Sequence, residues 1–236
     1  VSEYKAEGNG GRGPLSPYPP LEIGGSVPHQ NRVPEIQPTR RLGGVKRICV
    51  FTGSSPGAGS EYAAAARNLA KELVTRNLEL VYGGARVGLM GTLADSVLEL
   101  GGGVIGVIPE ALSSREVAHS GLSDLRVMNS MHERKAEMAD LASGFIALPG
   151  GVGTLEEIFE VFTWAQLGIH AKPCGLLNIS GYFNSLLEFL EHSVRERFLK
   201  PSHQKLLLVE ETAGELLDAF SEYSPIQIDK WIDREK

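Results

Sequence analysis

No Gly-Lys-Ser or Gly-Lys-Thr occurs in the 236 residues, which excludes a Walker phosphate loop and the nucleoside-triphosphate chemistry built on it. A complete G-x-G-x-x-G is missing too. The pair Gly57 and Gly59 is followed at the third position by Tyr62, and the pair Gly151 and Gly153 by Glu156. No downstream strand end offers the acidic ribose ligand of a dinucleotide site in the right unit, so NAD chemistry is disfavoured. The serines of TGSSPG do not sit in G-x-S-x-G, so a hydrolase elbow is unsupported. His132 and Glu133 are followed at helical spacing by Ala136, not by a second histidine, and no metal is expected.

Cysteine is scarce. Cys49 and Cys174 lie far apart in apolar stretches and read as buried free thiols in a reducing compartment, not as a disulfide framework. No long basic run is present and the net charge is −6, so no nucleic-acid partner is expected. No apolar run approaches membrane-spanning length and no hydrophobic signal core opens the sequence, so a cytoplasmic protein without a membrane partner is expected.

Residues 1–44 hold 7 of the 13 prolines and 8 glycines with few aliphatics. Such a segment buries too little surface to offset its ordering entropy and reads as a flexible arm. From residue 45 the pattern becomes alternating strand and helix, expected to continue to about residue 225, with a short tail over 226–236. Strands are expected over 45–51, 78–82, 103–109, 124–128, 144–149, 172–178 and 206–211. Helices are expected over 59–76, from the YGGARVGLMG stretch to about Leu100, and over 131–142, 154–168, 182–197 and 213–222. Apolar strands alternating with helices predict a single α/β domain, a Rossmann-like doubly wound parallel sheet flanked by helices.

Ligands of such sheets bind beyond the carboxyl ends of the strands. Three of those ends are glycine-rich here: TGSSPGAG with Gly53 and Ser54, YGGARVGLMG with Gly83 and Gly84, and PGGVGT with Gly150, Gly151, Val152, Gly153 and Thr154. Each alone could be a tight turn. Together they point to a phosphate or nucleotide site, with a monophosphate-sized anion on the backbone N–H groups of Gly151 to Thr154 at a helix start. Glu156 and Glu157 follow directly. Thr154-x-x-Glu157 fits a capping box, as does Ser130-x-x-Glu133, so Glu157 could be a helix cap or a chemical group. Leu155, Ile158, Phe159 and Phe162 recur at the spacing of a sheet-facing stripe. Glu157 then shares the opposite face with Val161 and Trp164, a face expected to be covered by a second subunit or a ligand. The cations that would balance an anion and a carboxylate are Arg134 and Lys135 of the HERK run.

MHERKAEMA at 131–139, ALPGGVGTLEEIFEVFTWAQLGIHAKPCGLLN at 147–178, and the GSSPG, YGGARVGLMG and SREV segments closely resemble the LOG (Lonely Guy) family. That resemblance spans about residues 46 to 220. It implies a Rossmann-like homodimer or higher oligomer with no cofactor. The implied reaction is hydrolysis of the N-glycosidic bond of an N6-modified adenosine 5′-monophosphate to free base and ribose 5-phosphate. It also implies that Arg134 and Glu157 are the catalytic pair, that Lys135 and Glu116 contact substrate, and that Gly151 to Thr154 form the phosphate loop. Relatives also carry the label lysine decarboxylase, for which no pyridoxal-phosphate constellation is visible. The other readings are a general AMP nucleosidase and a non-catalytic nucleotide or cofactor carrier of the same superfamily.

Overall fold

The computed structural model describes residues 46–113 and 118–225. The expected arm over 1–44, the tail over 226–236 and the candidate Glu116 lie outside the described residues.

The short Val-, Ile- and Leu-rich runs form seven strands: β1 Lys46–Phe51, β2 Leu78–Tyr82, β3 Val104–Pro109, β4 Asp124–Met128, β5 Gly144–Ala147, β6 Cys174–Leu177 and β7 Leu207–Glu210. All pair in parallel, in the order β4-β3-β2-β1-β5-β6-β7. Strands β3, β5 and β6 are buried along their whole length, as expected of strands covered on both faces. The weaker, mixed pattern of DLRVM belongs to β4, which lies at one edge of the sheet and is only partly buried.

Between these strands run α1 Ser60–Thr75, α2 Gly88–Glu99, the single turn α3 Glu110–Leu112, α4 Met131–Leu141, α5 Val152–Gln166, α6 Asn184–Arg195, the short α7 Pro201–Gln204 and α8 Ala213–Glu222. Alternation along β1 divides the core. Ile48 and Val50 pack with α1, α2 and α8 on one face, while Cys49 and Phe51 pack with α4, α5 and α6 on the other. Both cysteines are free and buried.

The chain builds outward from β1 to β4, then crosses back to place β5 on the other side of β1. The switch point of the sheet therefore lies between β1 and β5. Their carboxyl ends carry TGSSPG and PGG, the loops singled out in the sequence.

Candidate active site

Close approach requires glycine where these loops meet. The Gly53 amide donates to the Pro149 carbonyl at 3.2 Å, and a Cβ on Gly53 would stand 3.3 Å from the Gly150 Cα. A Cβ on Gly150 would meet the Thr154 Oγ1 at 2.1 Å and the Gly53 nitrogen at 2.8 Å. The second glycine loop joins the first: the Leu89 amide donates to the Gly53 carbonyl at 3.2 Å, and Gly88, at φ +57°, has no room for a Cβ against Ser54. The three loops thus converge on one crevice.

Helix α5 starts two residues earlier than its sequence pattern suggests. Gly151 is its N-cap, and the Leu155 amide closes the first turn on the Gly151 carbonyl at 3.1 Å. The amides of Gly151, Val152, Gly153 and Thr154 are therefore the four N–H groups of this helix without an intrahelical acceptor. The helix dipole adds partial positive charge at the same place. A Cβ on Gly151 or Gly153 would meet nothing within 4 Å, so both glycines border open space.

The earlier start also removes the capping box. Thr154 is a buried first-turn residue, not the cap, and Glu157 reaches elsewhere. Ser130 does cap α4: its hydroxyl accepts from the Glu133 amide at 3.1 Å, and the Glu133 carboxylate accepts from the Asn129 amide at 3.0 Å.

Glu157 accepts instead from Arg134, Nη2 to Oε1, at 2.7 Å across 23 residues of sequence. Both side chains are nearly buried, 10% and 14% exposed. Arg134 is held by a bond from Nε to the Val107 carbonyl at 3.2 Å and by Nη1 against the Met131 sulfur at 3.1 Å. A Cβ on Gly83 would stand 2.7 Å from Nη2, so this glycine makes the room that the guanidinium occupies. Burial pushes the Glu157 carboxyl above its ordinary value, with the Arg134 charge opposing that shift. The carboxyl group is thus held against one fixed cation in a largely buried position, and among the described residues its Oε2 accepts no hydrogen bond. Such a group can stabilise a developing positive charge or accept a proton from water.

Lys135 joins α4 to α5. Its ammonium lies between two carboxylates of α5, 2.6 Å from Glu156 Oε1 and 3.0 Å from Glu160 Oε1. Burial alone would lower its pKa, but those two carboxylates outweigh it and the pKa is raised. In this arrangement both Lys135 and Glu156 are engaged in binding α4 to α5.

One expectation about α5 is corrected. Val161 is 3% exposed inside the chain's own core and Trp164 packs against the same cluster, so the face they share needs no second subunit to cover it. The reason is that α5 is flanked by its own α4 and by the β5–β6 half of the sheet. His119 is buried and pairs with Asp95 at 2.9 Å, while its backbone amide donates to the Gly84 carbonyl. One site residue escaped the sequence reading. Tyr182, in the β6–α6 connection, donates its hydroxyl to the Gly150 carbonyl at 2.6 Å. No motif marks it, and only the fold brings it to the glycine loop.

A parallel sheet with glycine loops gathered at its switch point around a buried Arg–Glu pair defines a Rossmann-like protein with a charged site at the carboxyl ends of its strands. Comparison with known proteins narrows this class. A family profile described as "Possible lysine decarboxylase" matches residues 90–220. LOGL3 of Oryza sativa subsp. japonica, named a probable cytokinin riboside 5′-monophosphate phosphoribohydrolase, is 53% identical over 76% of this chain and 85% of its own length. LOG3 of Arabidopsis thaliana, named a cytokinin riboside 5′-monophosphate phosphoribohydrolase, is 52% identical over 76% of this chain and 84% of its own. The chain belongs to this LOG family. Among solved structures, the molybdenum cofactor carrier protein of Chlamydomonas reinhardtii aligns with a TM-score of 0.57 at 19% identity, covering 75% of this chain and 96% of that one. The molybdenum cofactor binding protein of Rippkaea orientalis aligns at 0.59 and 17%, covering 77% and 98%. At those identities the likeness concerns the fold alone.

Proposed function

We propose that the chain hydrolyses the N-glycosidic bond of cytokinin riboside 5′-monophosphates, releasing the N6-modified base and ribose 5-phosphate. The observation that carries the reading is the buried Arg134–Glu157 pair beside the open amides at the start of α5. Cleavage of an N-glycoside passes through a ribosyl cation with oxocarbenium character. Glu157 supplies the negative charge that favours this cation, or takes the proton of the attacking water as its oxygen bonds to the anomeric carbon. Arg134 holds Glu157 in place and balances the negative charge of carboxylate and phosphate. The phosphate, seated on the amides of Gly151 to Thr154, provides binding energy remote from the reacting bond and so fixes the ribose. The similarity to named phosphoribohydrolases at 52–53% identity supports the reaction and substrate class.

The test is release of free base from isopentenyladenosine monophosphate, with AMP alongside. Glu157→Gln and Arg134→Ala should each lose most of the turnover while circular dichroism stays unchanged. The acid limb of the pH–rate profile should lie above the ordinary glutamate value of 4.5, because burial raises the Glu157 pKa. Near-normal turnover in both variants refutes the assignment. Faster release from AMP than from the modified nucleotide favours the general nucleosidase, and binding without any release favours the carrier. Self-association is part of the same reading. Phe189 and Phe198, 62% and 90% exposed, with Leu167 and Ile169, offer apolar surface for a second copy, and light scattering on the intact chain tests it.

A further inference from the structure

We infer that Tyr182 is a positioning residue for the phosphate loop, acting through the peptide that joins Gly150 to Gly151. The inference rests on the phosphate reading of that loop. In a trans peptide the carbonyl of one residue and the N–H of the next lie in one plane and point in opposite directions. The Tyr182 hydroxyl holds the Gly150 carbonyl at 2.6 Å, so it also fixes the direction of the Gly151 N–H, the first of the four open amides.

This peptide needs such a restraint. It has glycine on both sides, and glycine leaves the backbone dihedrals around a peptide unusually free. Neither glycine can be exchanged for a stiffer residue without loss. Gly150 is required by the Thr154 and Gly53 contacts, and Gly151 faces the open space that a phosphate would fill. A donor from outside the loop is the remaining way to hold the peptide. Donation to the carbonyl also polarises the peptide, which makes its N–H a better donor.

Tyr182 is itself held firmly although its side is 45% exposed. Its neighbour Phe183 is buried at 2% exposure. The buried Asn178 accepts from the Phe183 amide at 2.8 Å and donates to the Asn184 side chain at 2.9 Å. The chain between them makes a tight turn with Ser180 at φ +51° and Gly181 at φ +72°, closed by the Tyr182 amide on the Ile179 carbonyl at 3.0 Å. The Tyr182 ring then meets the edge of Tyr62, 5.8 Å between centroids, and Tyr62 covers Gly57 of the first glycine loop. The hydroxyl is therefore delivered from a braced turn, not from a freely rotating side chain.

Tyr182→Phe removes the hydroxyl and keeps the ring on Tyr62. Loss of one hydrogen bond predicts a rise of about three- to tenfold in KM for isopentenyladenosine monophosphate, with matching weakening of competitive inhibition by ribose 5-phosphate. The proportional effects on kcat and on kcat/KM of the phosphate-free riboside should be smaller than the effect on KM for the monophosphate. Unchanged KM and unchanged inhibition overturn the inference, as does an equal loss on the riboside, which would place the effect in the fold or the base pocket. The parent reading is judged separately, in the wild-type enzyme. If wild type treats riboside and monophosphate alike and ignores ribose 5-phosphate, the phosphate loop is misassigned and the role of Tyr182 falls with it.

Discussion

Replacing Gly83 by alanine adds one methyl group to the end of β2 and tests the geometry of the Arg134–Glu157 pair directly. The new Cβ would lie 2.7 Å from Arg134 Nη2, 3.4 Å from the Met90 sulfur and 3.6 Å from Arg134 Cζ. Ordinary contact is roughly 3.5 Å, so the guanidinium must retreat by roughly 0.8 Å. A solvent-exposed arginine would do this at little cost. Arg134 is 8% exposed and is tied at Nε to Val107 and at Nη2 to Glu157. Because the guanidinium is rigid and planar, it cannot move by that distance and keep both bonds. Overpacking of this kind costs about 1–3 kcal/mol of stability, about 2–4 °C of melting temperature per kcal/mol for a domain of this size. Displacing a catalytic group by about 1 Å can reduce turnover on the order of 100-fold. The activity loss should therefore far exceed what the stability loss explains. Base release from isopentenyladenosine monophosphate, measured well below the melting temperature with near-saturating substrate, reads the first quantity, and a thermal melt reads the second. Wild-type kcat in a folded Gly83→Ala protein would refute the reasoning, because it would mean that the observed position of Arg134 is not needed for the reaction.

Gly153→Ala should separate a glycine kept for its ligand from one kept for packing. Its Cβ meets nothing within 4 Å, so the change should stabilise the first turn of α5 by up to about 1 kcal/mol, raising the melting temperature, while it raises KM for the monophosphate; an unchanged KM would remove Gly153 from the phosphate site. His170 should make the fold acid-sensitive. The neutral ring donates Nε2–H to the Val161 carbonyl at 2.8 Å and accepts the Lys172 amide at Nδ1, and burial lowers its pKa from 6.5 to about 4. The unfolded chain takes up the proton first, so stability is full above pH 6.5 and is lost as pH falls through about 4. Urea unfolding of wild type and His170→Gln, at neutral pH and at about pH 5, should show the variant closing its stability gap in acid; a pH-independent gap would refute the linkage.

Much of the fold was readable because its signals are local. The apolar runs of β1, β3, β5 and β6 and the helical stripes between them stand in the sequence at their characteristic periods. Boundaries were less legible. The start of α5 at Val152 is set by Gly151 as a cap without a side-chain acceptor, whereas the S/T-x-x-E rule pointed to Thr154 as the cap. Val161 misled for a related reason: one helix has apolar residues on two sides when both its sheet and its neighbouring helix belong to the same chain.

The sequence by itself determined the class of fold, the three glycine loops and the charged residues that follow or flank them, because periodicity, glycine and charge are properties of single positions and short windows. Only the tertiary structure decided what those residues do to one another. It turned Glu157 from a candidate cap into the partner of Arg134, engaged Lys135 with Glu156 and Glu160, and brought Tyr182 to the Gly150 carbonyl. Each of these contacts joins segments carried by different strands of the sheet. Their distances depend on strand order, and in particular on the crossover that places β5 beside β1.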